Sequence, residues 1–208
     1  MYVPAHFAPD DAAVQDLLTH HGAADLITVT DDGPIATLLP FVFDPDAGER
    51  GALLGHLARN NEQWKRPARG EALVIVRGPD AYITPRWYAS TAEHGRTVPT
   101  WNYVTAHVYG ELVVHDDPAW LDGLVRRLTD HHEAYIAEPW SVEEAPAEFY
   151  AGQLRAIVGV EVRISRIEAK FKLSQNRSEA DVAGVIGGLT EAGDVATAEA
   201  VRNASAGR

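Results

Sequence analysis

Residues 104–115 read VTAHVYGELVVH, and the class of fold follows from this stretch. Val104, Ala106, Val108, Leu112 and Val114 fall on one face, and Thr105, His107, Tyr109 and Glu111 on the other. A period of two over twelve residues is that of a strand with one buried side. Outward from it, DLITVT (25–30) and IATLLPFVFD (35–44) flank the turn signal DDGP and predict a hairpin. ALVIVRG (72–78) and AYITPRWY (81–88), separated by Gly78-Pro79-Asp80, predict a second. In AIVGVEVRIS the apolar face is even (Val158, Val160, Val162, Ile164), whereas in RIEAKFKLS it is odd (Ile167, Ala169, Phe171, Leu173). That change of parity predicts a bulge or tight bend near Ser165.

Helices are fewer. Asp10 can cap a helix carrying Val14, Leu17, Leu18 and His21 on one face and closing at Gly22. Asp117-Pro118 opens a longer one through Leu121, Leu124, Val125, Leu128 and Tyr135, stopped by Pro139. Residues 178–204, rich in Ala, Glu and Gly, predict one or two short helices packed outside the strands. Many short strands with few helices between them predict a mainly β protein, an antiparallel barrel or sandwich with helical additions. The expected organisation is one domain over residues 1–177 and a C-terminal helical extension over 178–208.

Composition narrows the function. The formal net charge of −12 opposes direct nucleic-acid binding, which rests on Lys and Arg displacing counterions from phosphates. The one basic stretch, Arg155 to Arg177, has six basic against two acidic residues but alternates along strands. No basic recognition helix of a helix-turn-helix is visible. With no Cys, disulfides and thiolate chemistry are excluded. No apolar run approaches a membrane span and no secretory signal is evident, so a cytoplasmic location is expected. HHEAY (131–135) forms no H-E-x-x-H, and no metal site is expected; Walker, G-x-S-x-G and G-x-G-x-x-G motifs are absent.

LLGHLARNNEQW (53–64) begins as a strand and ends in donors: His56, Arg59, Asn60 and Asn61, then Trp64. Successive backbone N–H groups, a guanidinium and two amides suit a phosphate monoester, and they equally suit a solvated turn with a capping Asn. GPDAYITPRWYASTAEHGRTVPTWNY (78–103) concentrates Trp87, Tyr88, Trp101 and Tyr103, which suits a planar ligand, a partner subunit or a packed barrel end. In IEAKFKLSQNR, Lys172, Ser174, Gln175 and Arg177 could reach an anion or form a solvated charged face.

The blocks MYVPAHF, GHLARNNEQW, GPDAYITPRWY, VPTWNY, AIVGVEVRISRIEAKFKLSQNR and DVAGVIGGL, in this order over about the first 190 residues, resemble the PaiB family of FMN-binding negative transcriptional regulators. The resemblance implies a split β-barrel similar to that of pyridoxamine-phosphate oxidase, a homodimer, and FMN at the interface of the two chains. Thr37 and Leu38 would then lie along the isoalloxazine edge. His56, Ala58, Arg59, Asn60 and Asn61 would hold the ribityl phosphate, with Trp64 closing over it. Trp87, Trp101, Lys172 and Gln175 are candidates for contacts from the partner chain. Arg86, Ala89 and Glu62 stand where relatives are expected to carry Ser, Pro and Pro. No residue is singled out as a catalytic acid or base, and an FMN-dependent oxidoreductase is the alternative to a regulator.

Overall fold

The computed structural model describes residues 1–206. Six strands, β1 (Ala23–Thr30), β2 (Gly33–Asp44), β3 (Ala52–Ala58), β4 (Ala72–Ile83), β5 (Thr100–His115) and β6 (Ile157–Lys172), form a closed barrel in the order β1-β2-β3-β6-β5-β4. The six α-helices are α1 (Asp11–His20), α2 (Ala89–His94), α3 (Pro118–Glu133), α4 (Ala147–Arg155), α5 (Glu179–Glu191) and α6 (Val195–Ala206). By contact density the residues group into two compact units, and α1, β4, β5 and β6 run from one into the other.

The larger unit holds residues 15–76 and 107–167. Its first hairpin is the expected one: Thr30 pairs with Gly33 across Asp31-Asp32, and Gly33 takes a left-handed φ of 110°. Register then sorts the faces. Leu26 lies opposite Thr37 and Val74, and Leu53 lies between Phe43 and Val162, so Leu26, Leu53, Leu57, Val74, Val158, Val160 and Val162 share the fully buried barrel interior. On the outside of β2 and β3, Val42, Ala52 and Leu54 pack under Leu124 and Leu128 of α3, which is the amphipathic helix the sequence predicts. Asp117 caps it by accepting from Trp120 N at 2.8 Å.

The smaller unit holds residues 1–14, 77–106 and 168–206. Here α5 and α6 form a helical hairpin turned at Gly193 (φ 81°), with Ser178 capping α5 and Asp194 capping α6. Buried Asp181 accepts from Ser90 N (2.9 Å) and Ser90 Oγ (2.8 Å), tying α5 to α2. Gly184 and Gly188 make a notch on α5: a Cβ at Gly184 would stand 1.9 Å from Trp87 O, and one at Gly188 2.3 Å from the Trp87 indole.

Two expectations are corrected. The second hairpin does not exist, because β4 runs unbroken through Gly78-Pro79-Asp80 and residues 85–87 form a single 3₁₀ turn. What those residues mark is a change of parity, from inward Ala72, Val74 and Val76 to inward Ala81 and Ile83. The buried face of β5 also stops early: Val104, Ala106 and Val108 are buried, but Leu112 is only partly covered and Val114 is exposed. At Gly110 the backbone of Arg163 approaches so closely that a Cβ would stand 2.1 Å from its carbonyl oxygen.

Candidate flavin site

In the larger unit, the polar end of β3 folds into a turn that consumes most of its own donors. Asn61 N donates to Ala58 O (2.8 Å), Asn61 Oδ1 accepts from Gln63 N (2.8 Å), and Asn61 Nδ2 donates to Thr37 Oγ1 (3.1 Å). Trp64 Nε1 donates to Arg59 O at 3.1 Å. Arg59 itself is engaged on every side: Nε donates to Arg155 O (2.7 Å), Nη2 to Ile157 O (2.9 Å), and both terminal nitrogens to the Asp116 carboxylate. The Asp116 hydrogen bond raises the pKa of this guanidinium, and the same contact lowers that of Asp116. Arg59 thus joins the end of α4, the start of β6 and the loop before α3, and its charge is already balanced. Asn60 is exposed and makes no side-chain hydrogen bond among the described residues, and Ala58 is exposed beside it.

Sequence reasoning missed Gln63, which is buried and donates to Leu26 O (3.1 Å), Thr28 Oγ1 (3.1 Å) and Ile35 O (3.3 Å). Its place in a polar turn gave no sign of burial. His56 is half-buried on the outward side of β3, and its Nδ1 is buried without a partner among the described residues. Burial holds its pKa below the ordinary imidazole value, so it is a neutral ring with one free polar atom. Thr37 points inward toward Asn61, and Leu38 points outward, 65% exposed.

The outer face around Leu38 is apolar. Register places Val29 beside Pro34, Ile27 between Ala36 and Leu73, and Leu38 and Ile75 on either side of Asp25. Val29, Pro34, Ala36 and Leu38 are exposed, while Ile27, Leu73 and Ile75 are partly covered.

In the smaller unit, Lys172 Nζ donates to Thr100 Oγ1 (2.7 Å) and Trp101 O (2.5 Å). Burial, then the neighbouring charges of Lys170 and Arg177, push its pKa down. Lys170 lies among the rings of Tyr2, Phe7 and Tyr103 at 5.6–5.8 Å, and Arg177 lies over Tyr88 at 4.4 Å. A partly buried ammonium with two further cations nearby makes a place where an anion lowers the energy. Trp101 is 54% exposed and meets Tyr82 edge to face at 6.1 Å, leaving a ring free to stack. Two candidates here are committed elsewhere. Trp87 fills the α5 notch, and Gln175 closes the end of β6 by accepting from Leu173 N (2.7 Å) and donating to Phe171 O (2.6 Å). That turn is rigid: Ser174 takes a left-handed φ of 65° and bonds to fully buried Asn102.

Residues 1–166 match the family model described as "Putative FMN-binding domain". The chain belongs to that family. It is 31% identical over 191 residues to protease synthase and sporulation protein PAI 2 of Bacillus subtilis, covering 89% of this chain and 87% of that one. An uncharacterized protein of Emericella nidulans is 30% identical over 230 residues, covering 93% and 92%. Among solved structures, a conserved hypothetical protein of Mycobacterium tuberculosis superposes with a TM-score of 0.60 at 13% identity, covering 86% and 95%. The flavocytochrome Anf3 of Azotobacter vinelandii gives 0.53 at 15%, covering 84% and 73%. These superpositions confirm the expected split-barrel fold. FMN is the cofactor of the family, and each unit by itself holds groups whose chemistry suits it: amides in the larger unit, cations and an open aromatic ring in the smaller.

Proposed function

We propose that the protein is a PaiB-like negative regulator that binds FMN as a homodimer and acts on transcription through another protein. The family match carries the flavin part. FMN supplies redox chemistry at its isoalloxazine when bound, and the chain's residues bind and orient it. Lys172, with Lys170 and Arg177 nearby, is the charged donor for the phosphate. Asn60 and Thr37 of one chain offer uncharged donors, and Trp101, like Lys172, would reach the flavin from the partner chain. The apolar strip of Val29, Ala36 and Leu38 on β1 and β2 supports a second copy as its cover, since an exposed contiguous apolar face marks an interaction surface.

Charge supports indirect regulation. The six α-helices carry only Arg126, Arg127, Arg155 and Arg202 and no Lys. Arg126 pairs with Asp122 and Glu143, and Arg127 with Asp44. Among the described residues no α-helix carries more than one unpaired Lys or Arg with which to read a groove.

The test is a fluorescence titration of FMN against purified protein, paired with sedimentation. FMN is quenched on binding, Lys172→Met weakens binding by about 1.5–3 kcal/mol as for a charged hydrogen bond, and Leu38→Asp dissociates the dimer. Unquenched FMN ends the flavin reading. Stopped-flow mixing with reduced nicotinamide separates the oxidoreductase alternative, which requires the bound flavin to bleach. A salt-resistant footprint at a defined operator ends the indirect mode.

A further inference from the structure

The connection between α3 and α4 carries large apolar side chains that no flavin reading uses. Tyr135 is 74% exposed, Ile136 52% and Trp140 43%. Ile136 and Trp140 do not lie on a flat surface. Ile136, Pro139 and Trp140 line a cleft of about 320 Å³ together with Asp130, Glu133 and Ser141. The cleft is held in shape from within: Trp140 N donates to Glu133 Oε2 (2.9 Å), Ile136 N to Glu133 O (2.9 Å), and Ser141 with Glu144 forms a capping box that starts the next turn. The apolar wall is therefore presented by a braced backbone.

Charge selects the occupant. From Asp130 to Glu148 there are six carboxylates and no Lys or Arg. Arg126 reaches in only to pair with Glu143. Asp130 and Glu138 are exposed and enter no ion pair among the described residues. A wall of Ile, Pro and Trp with the unpaired Asp130 carboxylate on its rim, in a stretch without Lys or Arg, complements a segment that sets Lys or Arg beside a bulky apolar side chain. The face proposed for a second copy of this chain is instead the apolar strip of β1 and β2. Nucleic acid is repelled by the net charge of −12.

We infer that this cleft is a docking site for a basic, amphipathic segment of a partner protein. The inference deepens the regulatory reading, on which it rests for its biological use, by giving the partner a chemistry and a place to bind.

The experiment uses the full-length protein and a fluorescein-labelled amphipathic peptide of Leu and Lys, read by anisotropy. The peptide binds, and binding weakens as salt is raised because the rim pairs are screened. Ile136→Ala combined with Trp140→Ala lowers affinity roughly tenfold or more, the scale for loss of buried apolar anchors. Asp130→Lys lowers it similarly, whereas Glu191→Lys on α5, an equal change of net charge, leaves it within about twofold. Circular dichroism confirms that each variant is folded. No binding, equal binding of the peptide with Glu in place of Lys, or equal loss in both charge reversals overturns the inference. So does a Trp140→Ala variant that turns a dimer into a monomer, which would give the cleft to a second copy. The regulatory reading fails separately, through a gene deletion that leaves transcript levels unchanged while the purified protein still binds peptide.

Discussion

Arg59 and Asp116 meet as a two-pronged ion pair, Nη1 to Oδ2 at 3.0 Å and Nη2 to Oδ1 at 2.5 Å, across 57 residues of chain. With Arg155 O and Ile157 O bound by the same guanidinium, the side chain works as a brace. Arg59→Ala and Asp116→Ala are each expected to lower the melting temperature by a few degrees, and the double variant by no more than the larger single loss, because both remove the same contact. Differential scanning fluorimetry checks this. A larger effect of Arg59→Ala on FMN affinity than of Lys172→Met, with the melting temperature unchanged, would return Arg59 to the phosphate.

Helix α5 contains a matched pair of glycine tests. Gly184→Ala drives a methyl into the Trp87 carbonyl, and backbone cannot step aside as a flexible side chain can, so a loss of about 1–3 kcal/mol is expected. Gly187, three residues on, has nothing within 4 Å of its Cβ position. Gly187→Ala should gain about 0.5–1 kcal/mol from helix propensity and a less flexible unfolded chain. Urea midpoints of opposite sign are the expected result.

Gln63 contributes through buried donors. Gln63→Leu keeps the volume but leaves Leu26 O and Ile35 O without this partner, at a cost of about 1–3 kcal/mol in chemical denaturation. An unchanged midpoint would mean that water serves those carbonyls equally well.

Stability should fall in mild acid because of His21. Burial holds its imidazole pKa low, against the bond between Nδ1 and Leu18 O (2.7 Å), and His131 and His132 lower it further. Its Nε2 is buried without a partner among the described residues. The unfolded chain therefore takes up this proton first, near pH 6.5, and stability drops from there until the pH passes the lower folded value. Urea midpoints at pH 7.5 and 5.5 measure the slope, which His21→Gln should reduce.

The strands were legible where the cue is local: β1 and β2 follow from the DDGP turn between them, and the first half of β5 from period two. The course of β4 was not, because Gly-Pro-Asp is a local turn cue while a strand's continuity depends on distant partners. The same reason hid the fate of Arg59, whose partner lies 57 residues away, and of Lys172, whose acceptor Thr100 lies 72 away. Trp87 reads as a candidate for contacts from the partner chain because nothing local marks Gly184 and Gly188, far along the chain, as the notch that takes its indole. The resemblance supplied the fold and the cofactor; the individual side chains needed coordinates.

Asn61 reaching Thr37 also fixes how β2 is threaded. Deleting one residue between Gly33 and Thr37 would swing Leu38 into the interior and leave the amide facing a backbone it cannot bond. Length changes in this hairpin should therefore be all-or-nothing, and natural insertions should collect instead in the 45–51 loop, where the ladder has ended.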